Sequence, residues 1–165
     1  MIDVKFKYSE NEYCKAMRGY YINSNKMKID GIFLVLLMFY IAFSWSTSDT
    51  RLRFLLVTAC GLYLIFMIFL LVFVPRMLFR QNSKFKDEYA LSITEDGIHF
   101  KTVHLNSKLD WNYYKKVWES KQFYYLFYGK KLFTIIPKRS FNTFNQETEF
   151  REVVTRKISK IKKYI

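Results

Sequence analysis

Two long apolar runs divide the chain. Gly31 to Ser48 is eighteen positions without a charge, and Phe54 to Pro75 is twenty-two. A helix rises about 1.5 Å per residue, so the runs reach about 27 Å and about 33 Å, against a hydrocarbon core about 30 Å thick. The second is long enough outright. The first is marginal, and its hydroxyl-rich end with Trp45 suits the membrane interface. A buried helix of a soluble protein carries a polar stripe, whereas Phe54 to Val74 is interrupted only by Thr58, Cys60, Gly61 and Tyr63. The pattern predicts a transmembrane helical hairpin over 30–76, with spans of about 31–48 and 54–75 and a short connection from Thr47 to Arg53. A signal peptide does not fit, because the first run starts near residue 31 and no small-residue cleavage site precedes the second.

The flanking regions change period. Ile2, Val4 and Phe6 alternate with Asp3, Lys5 and Lys7, a strand pattern. Ser9 and Glu12 form a capping box for a helix with Tyr13, Met17, Tyr20 and Tyr21 at helical spacing, ended by Asn23, Ser24 and Asn25. After the hairpin, the pattern predicts strands at Tyr89–Thr94, Ile98–Leu105 and Tyr114–Glu119, with Ile98, Phe100 and Val103 inward. Glu95-Asp96-Gly97 reads as a turn with Gly97 at positive φ. Leu109 to Trp111 opens the next element. Phe123–Tyr128 and Lys131–Pro137 read as a hairpin around Gly129, with Pro137 ending its strand. A helix from Glu147 to Tyr164 closes the chain, capped by Thr143 and Gln146, with Phe150, Val153, Val154, Ile158, Ile161 and Ile165 as its apolar stripe. The whole predicts an α+β membrane protein in three parts. Residues 1–29 are a cytoplasmic strand and helix, 30–76 the hairpin, and 77–165 a cytoplasmic domain whose outline resembles a pleckstrin-homology-like β-barrel or sheet closed by a C-terminal helix. The N-terminal strand is expected to join that sheet.

Charge orients this arrangement. The 165 residues carry 27 Lys+Arg against 14 Asp+Glu, a net charge of +13. Lys15, Arg18, Lys26 and Lys28 precede the first span and Arg76, Arg80, Lys84 and Lys86 follow the second, against Arg51 and Arg53 in the loop. Positive charge stays inside, so both termini are expected in the cytoplasm, with a tiny external loop. Anionic head groups attract juxtamembrane cations by about 1 kcal/mol each, which makes Arg76, Arg80, Lys84 and Lys86 the candidate lipid contacts. Arg156, Lys157, Lys160, Lys162 and Lys163 either add to them or form a solvated helix face. Phe123, Tyr125, Phe127 and Tyr128 among lysines could imitate a stacking platform for nucleic acid. A buried strand explains them better, and no nucleic-acid partner is expected.

The residues that do chemistry are sparse. His99 and His104, on one expected strand but five apart, point to opposite faces. Cys14 and Cys60 sit in different segments. Asp96, Asp110 and Glu119 read as turn or surface carboxylates, and no Gly-rich phosphate loop, HExxH or CxxC occurs. No catalytic, cofactor-binding or metal-binding residue is assigned, and no enzymatic activity is expected. The spans hold no Asp, Glu, Lys, Arg or His, where transporters and proton relays place such groups.

LDWNYYKKVWES, FYYLFYGKKLFTIIPKRSF and the later EFREVV resemble the YcxB-like family, small bacterial membrane proteins. The matching positions are Trp111, Val117 and Glu119, and above all Ile135-Ile136-Pro137-Lys138-Arg139-Ser140-Phe141. The resemblance brings no catalytic residues or cofactor. In it Lys138 and Arg139 occupy a turn after Pro137, and Phe141 pins the closing helix. The expectation is a non-enzymatic, membrane-anchored interaction or regulatory module, its partners the phospholipid bilayer and a membrane protein, its oligomeric state open. Two alternatives stand beside it. One is a small accessory subunit of a transport or export complex, packing through Ser44, Thr58 and Gly61. The other is a domain that senses anionic lipid. An enzyme would need a pocket with paired ionisable groups.

Overall fold

A computed structural model describes residues 1–43, 49–103 and 106–163. They form two compact units, residues 1–9 with 82–165, and residues 10–81.

In the first unit, β1 (Ile2–Lys7), β2 (Glu88–Ile93), β3 (Gly97–Lys101) and β4 (Asn106–Asp110) make one antiparallel sheet in that order. The alternation in β1 buries Ile2, Val4 and Phe6 and pairs them with Ile93, Leu91 and Tyr89. The N-terminal strand therefore does join the sheet. The second sheet has the order β7-β6-β5-β8, from β5 (Lys116–Glu119), β6 (Phe123–Phe127), β7 (Phe133–Pro137) and β8 (Ile161–Lys163). All five residues of β6 are buried, so Phe123, Tyr125 and Phe127 are core and offer no base-stacking surface. The α+β class holds, but the described strands form two four-stranded sheets with no ladder joining them into a closed barrel. A 3₁₀ turn at Trp111–Tyr113 separates β4 from β5, and the Trp111 indole donates to Thr94 O at 2.9 Å, pinning the break to the first sheet. The Tyr8 hydroxyl donates to Ile135 O, and Arg139 Nη2 donates to Lys7 O at 2.9 Å, so the end of β1 is tied to the far side of the unit.

Three local expectations fail here. Gly97 has no positive φ; it opens β3, where a Cβ would collide with the Leu109 carbonyl of β4. Close strand approach, not turn conformation, requires that glycine. The strand expected to reach Leu105 ends at Lys101, and Val103 is 80% exposed rather than inward. His104 and Leu105 lie outside the described residues. The closing helix, α4, runs from Phe144 to Lys157 and not to Tyr164. Thr143 Oγ1 caps it by accepting from Gln146 N, as expected. Ile158 then turns extended, and β8 pairs in parallel with β5, Val117 N donating to Lys160 O at 2.9 Å. Apolar positions at 158 and 161 suit a helix stripe locally, but the open edge of β5 offers unpaired backbone groups that a strand satisfies. Tyr164 and Ile165 lie outside the described residues.

The second unit holds α1 (Glu10–Asn23), α2 (Asn25–Phe43) and α3 (Thr50–Gln81). α1 follows Ser9 directly and buries Tyr13 and Met17. Tyr13 packs on Phe79 at 5.5 Å, and Arg80 grips Glu10 with two bonds of 3.1 Å. Along α2, Met27, Asp30, Leu34, Leu37 and Ile41 are the sheltered positions; along α3 as far as Leu70 they are Arg53, Leu56, Cys60, Tyr63, Met67 and Leu70. Both sets repeat at alternating steps of three and four, the spacing of a helix–helix seam. The Tyr63 hydroxyl donates to the Asp30 carboxylate across it. α3 is long and apolar enough to cross a membrane, and only 6% of its most apolar window is buried. α2 is apolar from Gly31 onward but opens with Lys26, Lys28 and Asp30. Ser44 and Trp45 lie outside the described residues.

Gly97→Ala is expected to destabilise the fold by about 1–3 kcal/mol, the scale of forced overpacking. Gly61→Ala, with nothing within 4 Å of its added Cβ, is expected to be neutral or slightly stabilising. Denaturant unfolding of the two variants checks the contrast.

Candidate functional site

The densest set of ionisable side chains lies where α4 packs on β5, β6 and the 3₁₀ turn Lys138–Ser140. Val117 and Glu119 share a face of β5, since residues two apart on a strand point the same way. That face is inward: Val117 is 1% exposed and Glu119 7%. Glu119 is thus a buried carboxylate and not a turn or surface one. Pro137 ends β7 as expected and delivers Lys138, whose Nζ lies 2.8 Å from Glu119 Oε1 and 3.1 Å from Glu147 Oε1. Glu147 and Arg151 are four apart on α4. Arg151 Nη2 reaches Glu119 Oε1 at 2.6 Å and Glu147 Oε1 at 3.4 Å. The Tyr124 hydroxyl donates to Glu147 Oε1 at 2.7 Å, and the Lys138 ammonium sits 4.7 Å over the Tyr124 ring. Phe141 packs on Phe150 of α4 and on Tyr124, at 5.1 and 6.1 Å, which is the expected pin.

Two carboxylates and two cations balance. Burial would push the Glu119 carboxyl up, but the hydrogen bonds and charges of Lys138 and Arg151 outweigh it and hold the group below its ordinary value. Burial, then the bond to Glu147, pushes the Tyr124 hydroxyl up, so it remains a neutral donor. The bond to Tyr124 leads the causes that raise Arg151. A carboxylate held anionic by two cations is a weak proton acceptor. The arrangement is chemically a clamp that fixes α4 on the sheet.

The residues expected at the lipid surface fall in both units. Arg76 and Arg80 end α3; Arg80 is committed to Glu10, and Arg76 hydrogen-bonds the Cys14 side chain. Burial, then Glu10, raises the Cys14 thiol, which disfavours a reactive thiolate. Lys84 and Lys86 are exposed on the short turn Ser83–Lys86, with Lys84 5.3 Å over the Phe85 ring. Of the C-terminal cations, Arg156 and Lys157 pair with Glu95, and Lys162 lies 5.8 Å over Trp118. His99 is exposed and hydrogen-bonded to Asn106 at 2.7 Å. No group of His, Cys, Asp or Glu able to hold a metal occurs among the described residues.

Glu119→Gln is expected to cost about 1–2 kcal/mol, below the usual value of a charged hydrogen bond because Arg151 is part-exposed and Glu147 still serves both cations. The lowered carboxyl gives a pH signature. Its contribution is complete above the ordinary value of 4.5 and is lost as pH falls from there through the folded-state value. Unfolding midpoints between pH 7 and 3 should fall more steeply for the natural protein than for Glu119→Gln.

No curated protein and no solved structure matches this chain. A family model, described as YcxB-like protein, matches residues 93–154. That segment runs from the end of β2 to Val154 in α4 and contains Glu119, Tyr124, Lys138, Glu147 and Arg151. Over that segment the chain is similar to the YcxB-like family.

Proposed function

We propose that this protein is a non-enzymatic module anchored in the bacterial inner membrane by two spans, with its β-rich unit and both termini in the cytoplasm. The observation that carries the reading is the ladder between β1 and β2. Ile2–Lys7 and Glu88–Ile93 are hydrogen-bonded neighbours, so they lie on one side of any bilayer. The chain between them must cross an even number of times. If α3 crosses, a second crossing is required, and the apolar run after Asp30 is the segment suited to it. Its described part reaches Phe43, and the interval to Thr50 is short enough to favour an antiparallel return. The matching three-four seams of α2 and α3 support the same pairing. Two sheets with an amphipathic helix before the last strand are in keeping with the pleckstrin-homology-like outline of the cytoplasmic unit.

Two finer readings have their own support. The exposed Lys84 and Lys86, with Arg76 and Arg80 just past the apolar run, favour contact with anionic lipid. Thr58 and Gly61 lie on the exposed face of α3, where a helix of a larger transport or export complex could approach closely. Thr58 already donates to Phe54 O at 2.8 Å, so it has no need of such a partner.

Cysteine labelling tests the anchor in a background lacking Cys14 and Cys60. Asp49→Cys should react with an impermeant reagent in intact cells, and Lys130→Cys only after the inner membrane is opened. Labelling of Lys130→Cys in intact cells overturns the reading, as does release of the protein by alkaline carbonate.

A further inference from the structure

We propose that the cavity walled by α4, β5 and β8 binds a small aliphatic monocarboxylate. Its volume is about 290 Å³, at the lower end for ligand pockets and equal to the liquid volume of about ten waters. One part of the wall is aliphatic, from Val117, Val154 and Ile161; another is charged, from Glu119, Arg151 and Lys163. The strand register makes this division. β8 pairs with β5 so that Ile161 stands beside Val117 and Lys163 beside Glu119.

The charge count selects the ligand. Lys138 and Arg151 are matched by Glu119 and Glu147. Lys163 is exposed and has no ion-pair partner among the described residues. Arg151 Nε is buried without a hydrogen-bond partner among them. One positive charge and one donor are therefore unspent, which suits a single carboxylate. A dianion would bring a second negative charge close to buried Glu119. An uncharged alcohol would leave Lys163 unanswered, and an inorganic ion would leave the aliphatic wall uncovered.

The full chain in lipid nanodiscs, with methyl-labelled Val and Ile, is titrated with butyrate, hexanoate, octanoate and dodecanoate. The expected result is saturable shifts at Val117, Val154 and Ile161, with affinity rising up to about fourfold per methylene to octanoate and no further gain at dodecanoate, which exceeds the cavity. Lys163→Gln, a change at an exposed residue, should weaken hexanoate binding about tenfold and leave the unliganded spectrum otherwise intact. Absence of shifts at the three residues overturns the proposal. So does equal binding of hexanol or inorganic phosphate, an unchanged affinity in Lys163→Gln, or an affinity that keeps climbing through dodecanoate as bilayer partitioning would.

Discussion

The pairing of the first strand with the strand that follows the helices is the constraint on which the rest depends. β1 is six residues long and separated from β2 by about eighty, so closing that loop carries a large entropic cost. The ladder offsets it with six register pairs and with the burial of Ile2, Val4 and Phe6 on one face. Everything from Glu10 to Gln81 becomes an insertion whose two ends are held in one fold. An insertion held in this way can enter a membrane only by leaving it again, whatever the length of its most apolar helix. Tyr8 and Arg139 reinforce the anchorage by hydrogen bonds to Ile135 O and Lys7 O.

Within the β-rich unit a second constraint acts on α4. Its apolar stripe, Phe150, Val153 and Val154, supplies adhesion without direction. The cluster of Glu119, Lys138, Glu147, Arg151 and Tyr124 supplies direction, because each ion must meet its counterpart at hydrogen-bond distance or remain costly and unpaired. The ring contacts of Phe141 with Phe150 and Tyr124 lie beside it. The family-matched segment thus contains the parts that seat the helix on the sheet.

The ionic site was partly legible in the residues. The spacing of Val117 and Glu119 already puts the carboxylate on the same side as a core valine, and Glu147 and Arg151 stand four apart on a helix. What concealed the cluster is distance along the chain. Its five members come from β5, β6, a turn and α4, and nothing local joins Lys138 to Glu119. The basic quartet after the long apolar run shows the opposite case. Four cations close together in sequence divide between two units, and Arg80 is drawn into a pair with Glu10, some seventy residues earlier.

Local patterning by itself determined the alternating first strand, the helix after Ser9, the long apolar helix, the strand end at Pro137 and the Thr143 cap. Each is set by neighbours within a few residues: a period, a missing amide hydrogen, a side chain reaching its own helix. Tertiary structure decided the separation into two sheets, the role of Gly97 and the fate of the C-terminal segment. Residues 158–163 could extend a helix or pair as a strand, and the open edge of β5 settled it, because backbone groups there need partners that only a distant part of the chain can bring.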